Sequence, residues 1–174
     1  MNKADSSLGY IREIKSEKPC IFISHKKEDQ HIAIALGEFL TSHLEVDIYL
    51  DVFDPELAEA VSVENDSKIV ATVKKGLSLS TILLCIVSEK TRLSWWVPYE
   101  IGIADSLKIK IASIRTKNLD DFPSFLKTKE TINNLAELVE FIIKSKKLGW
   151  LLYSEQVRDD ILKCDLGSLS TYFE

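Results

Sequence analysis

The run of residues 81–87, TILLCIV, constrains the fold of this chain more than any other segment, because it is apolar almost throughout. A short apolar run bounded by polar residues is typical of a strand that is buried on both faces of a sheet. Similar but weaker runs occur at 20–23, 46–50 and 109–114, and a fifth, short strand is predicted near 130–132. The strongest run is expected in the middle of the sheet.

Segments with helical spacing of apolar residues separate these runs. They lie at 28–44, 95–107 and 135–146, and a further helix begins after the capping residues Asn65, Asp66 and Ser67 and is expected to end at Gly76 and Ser78. Residues 51–66 are read as a long acidic connection, and one more helix is predicted at about 154–163. Strands that alternate with helices predict crossover connections, and hence a parallel sheet with helices on both faces.

Composition excludes several classes of protein. The 174-residue chain has a net charge of -5, which argues against a general nucleic-acid binder. Cys20, Cys85 and Cys164 are widely spaced and form no pair or cluster with histidine, so neither a zinc site nor a disulfide framework is predicted. Residues 1–18 lack the apolar stretch of a signal peptide, and no segment reaches the length of a membrane span. We therefore expect a cytoplasmic protein without a metal.

The carboxyl ends of the predicted strands indicate where a ligand would bind. In open α/β sheets, ligands bind beyond these ends, where the strand order reverses. That rule selects residues 24–29, 51–66 and 88–100. The last segment contains Trp96 and Glu100, which are spaced to lie on one helical face, one turn apart. An aromatic ring beside an acid limits access of water and can perturb the pKa of the acid, as active sites often do.

Other readings of the same edge are weaker. There is no GxGxxG and no GxxxxGK[ST] motif, which disfavours a dinucleotide-binding dehydrogenase or a P-loop nucleotidase. The first loop lacks the Ser, Thr and Gly content that a flavodoxin-type electron carrier would need. Ser24, His25 and Asp51 suggest a hydrolase triad, but neighbouring residues of an extended chain point to opposite sides, so Ser24 and His25 are poorly placed to bond.

Four sequence boxes, in order, resemble a TIR domain. The first strand ends in Phe22-Ile23-Ser24-His25 and continues to Glu28-Asp29, and the second ends in Ile48-Tyr49-Leu50-Asp51. Asp66-Ser67-Lys68-Ile69 and then Ser94-x-Trp96-Val97-x-x-Glu100-Ile101 follow. The resemblance covers about residues 18–145 and implies a flavodoxin-like, three-layer α/β fold whose five parallel strands have the order 2-1-3-4-5.

The resemblance also implies an activity and a site. In the enzymatic branch of the TIR family, the acid at the position of Glu100 is catalytic and NAD is cleaved at the nicotinamide–ribose bond, with NAD as substrate and no cofactor. By the same resemblance, the residues expected to bind the substrate are Ser24, His25, Lys27, Asp51, Phe53, Ser88 and Trp96. Residues 51–66 lack the glycine that is usual in the family's loop after the second strand, and this leaves the conformation of that loop open.

The chain as a whole resembles free-standing TIR proteins of bacterial antiphage systems of the Thoeris kind, in which a separate effector responds to a nucleotide made from NAD. This implies self-association through TIR–TIR contacts. A non-enzymatic TIR adaptor and a virulence factor that depletes host NAD are the alternatives. The expected organisation is a polar segment at 1–17, the TIR domain at 18–148 and a C-terminal helical extension, packed on the domain, at 149–174. The product, the trigger and the role of the extension are left open.

Overall fold

The core of the protein is a five-stranded parallel sheet. The computed structural model describes residues 18–117, 119, 121–145, 161 and 168–174. The strands are β1 Cys20–Ser24, β2 Asp47–Tyr49, β3 Ile82–Val87, β4 Lys110–Arg115 and β5 Glu130–Ile132. Their order is β2-β1-β3-β4-β5, and all neighbouring strands are parallel. This confirms the predicted flavodoxin-like fold, with the fully buried β3 in the centre.

Helices cover both faces of the sheet, as predicted. The helices are α1 Gln30–His43, α2 Pro55–Ser62, α3 Asp66–Ser78, α4 Trp96–Ser106, α5 Leu135–Ser145 and the short α6 Leu169–Tyr172. Successive strand residues point to opposite faces, so Leu84 packs in a core with α1 and α5, whereas Leu83 and Cys85 pack in a second core with α3 and α4. β3 therefore contributes to both cores.

The segment after β2 differs from the prediction of a long acidic connection. A 3-10 turn, Asp51–Phe53, leads directly into α2. Asp54 caps this helix by accepting hydrogen bonds from the backbone N–H groups of Glu56 and Leu57, and Pro55 occupies the first helical position. The Asp-Pro pair that starts the helix is visible in the sequence, but the surrounding acidic residues concealed it.

Gly76 also differs from the prediction, because it lies inside α3 and does not end it. A Cβ atom at Gly76 would lie 2.5 Å from ring carbons of Tyr49. That ring is stacked on Phe22, with centroids 5.2 Å apart, and its hydroxyl donates to Asp54. The glycine therefore permits close approach of α3 to the sheet.

Gly76→Ala is expected to destabilise the protein by about 1–3 kcal/mol, because the tethered Tyr49 ring has little room to move. Gly102→Ala is the matched control: Gly102 is exposed within α4, and nothing lies within 4 Å of its added Cβ. Alanine there should stabilise by up to about 1 kcal/mol through helix propensity. Urea denaturation of both variants measures the difference, and equal effects at the two glycines would contradict the packing argument.

Residues 168–174 pack against the domain. Leu169 and Phe173 are buried in the core formed with α1 and α5. The backbone N–H groups of Lys117 and Leu135 donate to the carbonyl oxygens of Tyr172 and Glu174, each over 2.8 Å. The predicted polar segment 1–17, the predicted helix at about 154–163 and Cys164 lie outside the described residues. Among the helices that are described, none has the length and apolarity that a membrane crossing requires.

Candidate active site

Glu100 is buried at the carboxyl edge of the sheet. It lies in the second turn of α4, the helix that follows β3, and only 5% of the residue is exposed. The hydroxyl of Ser24, the last residue of β1, donates to Glu100 Oε2 over 2.6 Å. Ser24 is paired in the sheet with Cys85 of β3, whose thiol is fully buried. The carboxyl group of Glu100 is thus held between α4 and the two central strands.

Burial raises the pKa of Glu100 to about 8. The hydrogen bond from Ser24 offsets part of this rise, and the negative charge of Asp51 adds to it. Burial likewise raises the pKa of the Cys85 thiol, and the charge of Glu100 contributes. Glu100 is therefore mostly protonated near neutral pH in the free protein, and a positive charge placed beside it would favour its ionised form.

Asp51 and His25 lie on the side of this site that faces β2. Asp51 follows β2 at the start of the 3-10 turn, and His25 follows Ser24. His25 Nδ1 donates to the carbonyl oxygen of Ile23 over 3.2 Å, and its Nε2 lies 3.9 Å from Asp51 Oδ1. Burial raises the pKa of Asp51, and the positive charge that His25 can carry offsets part of the rise. The structure thus brings together four of the predicted site residues: Ser24, His25, Asp51 and Glu100.

Ser88 connects two of the loops at this edge. Its hydroxyl donates to Asp29 Oδ2 over 2.5 Å, and Lys90 Nζ lies 3.0 Å from Asp29 Oδ1. Asp29 is only 1% exposed. Sequence reasoning placed Asp29 in the first TIR box but gave it no role, because its burial is not visible in a charged stretch of sequence. In the structure it fixes the turn after β1 to the loop after β3. A substrate contact by Ser88 stays a prediction.

Lys27, Phe53 and Trp96, the other three predicted residues, lie at the surface. Lys27 is exposed in the 3-10 turn before α1, and Phe53 is 44% exposed after β2. Trp96 is 41% exposed, and its ring contacts Tyr99 edge-on with centroids 5.7 Å apart. Glu100, one turn later, turns instead towards Ser24. Contacts of these three residues with a substrate therefore stay predictions.

No group of three or more His, Cys, Asp or Glu side chains in the described part of the chain is arranged to hold a metal ion. At this edge the buried carboxyl group of Glu100 has a second carboxylate, that of Asp51, and the imidazole of His25 near it. Such an arrangement can stabilise positive charge that develops on a bound sugar.

The five-stranded sheet of order 2-1-3-4-5, with a buried glutamate at its carboxyl edge, is the arrangement that was predicted for a TIR-like domain. Residues 22–121, more than half of the chain, match the family model described as "Thoeris protein ThsB, TIR-like domain". The chain therefore belongs to this family, which confirms the predicted resemblance to TIR proteins of Thoeris antiphage systems.

A crystal structure of a conserved protein from Enterococcus faecalis V583 has the same fold. It superposes with a TM-score of 0.60 at 13% sequence identity, and the match covers 74% of this chain and 99% of that chain. Identity at this level supports the fold alone. No curated protein sequence matches the chain.

Proposed function

We propose that this protein cleaves the nicotinamide–ribose bond of NAD, with Glu100 as the catalytic carboxylate. The observation that carries the proposal is the buried carboxyl group of Glu100, held by Ser24 at the carboxyl edge of the sheet. The edge of the sheet is where α/β folds bind nucleotides, and a carboxyl group with a perturbed pKa at such an edge is typical of a catalytic site.

One carboxylate suffices for the chemistry. The bond between C1 of the ribose and the pyridinium nitrogen breaks with its electron pair moving to nitrogen, so nicotinamide leaves as a neutral molecule and needs no proton. The ribose becomes an oxocarbenium-like cation, and ionised Glu100 stabilises its charge. Water then adds to C1 and loses a proton to give ADP-ribose. An internal nucleophile of the same nucleotide would instead give a cyclic isomer.

The positive charge of the nicotinamide ring favours binding of NAD at this site. Glu100 is mostly protonated in the free protein because burial raises its pKa to about 8. A bound pyridinium favours the ionised form, and the proton passes to solvent. The charge of the substrate thus prepares the carboxylate that the reaction requires. After cleavage, neutral nicotinamide leaves and the protonated form is favoured again.

Membership of the Thoeris family supports a role for the product as a nucleotide signal in antiphage defence, detected by a separate effector. TIR domains commonly self-associate, and the exposed apolar side chains near the start of α4 support such contacts here: Leu93 is 75% exposed and Trp95 is 92% exposed. The same surface would serve the alternative function, a TIR adaptor without catalytic activity.

The product of the reaction tests this proposal. We would incubate concentrated protein with NAD, with and without lysate from phage-infected cells, and resolve the products by mass spectrometry. Glu38→Gln is a matched control, because Glu38 is an exposed glutamate on α1. We expect nicotinamide and an ADP-ribose-derived product from the native chain and from Glu38→Gln, and none from Glu100→Ala. Intact NAD under every condition would favour the adaptor.

A further inference from the structure

One buried oxygen at the site lacks a hydrogen-bond partner. Among the described residues, Asp51 Oδ1 is the sole buried side-chain nitrogen or oxygen atom without one. The Asp51 side chain as a whole is 34% exposed, and this one oxygen is shielded. The buried acids of the described residues are satisfied: Asp29 by Ser88 and Lys90, Asp54 by the start of α2, and Glu100 by Ser24. An unpaired carboxylate oxygen that is shielded from water is costly, so this oxygen, which lies beside Glu100, is open to a hydrogen-bond donor from a ligand.

The imidazole of His25 defines the other side of this position. Since the carbonyl oxygen of Ile23 can only accept a hydrogen bond, His25 Nδ1 carries a proton and Nε2 is the atom that faces Asp51. The separation of 3.9 Å between Nε2 and Asp51 Oδ1 is too long for a direct hydrogen bond. It is short enough for one oxygen atom to lie about 2.8 Å from both atoms.

The chemistry of the two atoms selects a hydroxyl group. A hydroxyl can donate to the carboxylate oxygen, and it can also accept from Nε2–H when the imidazole carries its second proton. A bare carbonyl or phosphate oxygen cannot donate, and it would leave Asp51 Oδ1 unsatisfied. A sugar hydroxyl beside a carbon that becomes cationic also strengthens its hydrogen bond to a carboxylate in the transition state.

We propose that His25 Nε2 and Asp51 Oδ1 together bind one hydroxyl group of the ribose that carries nicotinamide. This inference rests on the proposed NAD cleavage and assigns Asp51 and His25 a specific part in it. Glu100 stabilises the charge at C1 of the ribose, and the Asp51–His25 pair fixes the sugar ring so that C1 meets Glu100. Asp51 is then a substrate contact of the reaction as well as the residue that follows β2.

Binding measurements with NAD and two analogues test the assignment without turnover. The analogues lack the 2-hydroxyl or the 3-hydroxyl of the nicotinamide ribose. We would measure their dissociation constants by calorimetry for Glu100→Gln, with and without Asp51→Ala. Loss of the bound hydroxyl should weaken binding about tenfold when Asp51 is present, because a hydrogen bond to a charged group is lost. When Asp51 is alanine that bond is already absent, so loss of the hydroxyl should weaken binding less than about twofold.

The outcomes separate this assignment from the proposed function. For one of the two analogues, a loss of affinity of about tenfold when Asp51 is present and of less than about twofold when it is alanine supports the hydroxyl site. Equal losses with and without Asp51, for both analogues, would overturn it and assign the unpaired oxygen to water, while binding of NAD itself would still stand. Failure of every chain to bind NAD, together with no release of nicotinamide by the native protein, would remove the proposed function and this inference together.

Two controls separate a contact from a folding defect. Asp51→Ala should stay folded at the temperature of the binding measurements, because the Asp51 side chain is 34% exposed, and melting curves of the variant and the parent chain check this. Asp51→Asn keeps the size of the side chain and an acceptor oxygen, and it should recover part of the discrimination between NAD and the analogue. A structural role would not restore discrimination between substrates that differ by one hydroxyl.

Discussion

Glu100→Gln is expected to make the folded protein more stable at alkaline pH. The pKa of Glu100 is about 8 in the folded protein, against an ordinary value of 4.5 that applies when the chain is unfolded. Between these two values the folded state holds a proton that the unfolded state has lost, so the free energy of unfolding falls as pH rises. Glutamine is neutral at every pH and does not incur this loss.

The expected gain is a few kcal/mol above pH 8, because each unit of pKa difference corresponds to about 1.4 kcal/mol. Well below pH 4.5, where both states carry the proton, the native chain and the variant should have similar stability. Urea denaturation at about pH 5 and about pH 9 measures the difference, with Glu38→Gln as the exposed control. A difference that does not grow with pH would show that Glu100 is not protonated by burial.

The ratio kcat/KM for NAD is expected to rise with pH up to about 8 and then level off. This ratio reports the ionisation of the free enzyme, and ionised Glu100, whose pKa is about 8, is the active form. Well below that value the ratio should increase about tenfold per pH unit. The value of kcat should stay constant down to a lower pH than kcat/KM does, because the bound pyridinium favours the ionised carboxyl group of Glu100.

Asp51→Asn provides the matched variant for this profile. Among the described residues, the Ser24 hydroxyl, the Cys85 thiol and the charge of Asp51 act on Glu100, and the charge of Asp51 raises the pKa of Glu100. Loss of that charge should therefore move the rise in kcat/KM to lower pH. A profile that is flat from about pH 5 to about pH 9 in both chains would contradict the assigned role of Glu100.

Much of this fold follows from patterns that a sequence displays directly. The run at 81–87 identified the central strand, because a strand buried on both faces has no polar side to interrupt it. The short strand at 130–132 was also predicted with the bounds that the structure shows. Helix α2 was missed, because its start depends on a single cap, Asp54, within an acidic segment.

Part of the candidate site could be predicted, because residue type and position in the sequence pattern are enough to place those residues at the carboxyl edge of the sheet. Ser24 ends β1 and Glu100 lies near the amino end of α4, the helix that follows β3, and the fold brings the two within hydrogen-bonding distance. The unpaired oxygen of Asp51 and the link between Asp29 and Ser88 could not be predicted, because both depend on atomic distances between elements. The same limit applies to the contact of the Trp96 ring with Tyr99.

Release of nicotinamide from NAD by the native chain and by Glu100→Gln, measured side by side at high protein concentration, is the most direct test of this account. We expect release by the native chain and a loss of at least about a hundredfold in the variant, because glutamine keeps the shape of the side chain but cannot carry the negative charge. Melting of both proteins in the same buffer confirms that they are folded. Equal release by the two proteins would show that Glu100 is not the catalytic carboxylate.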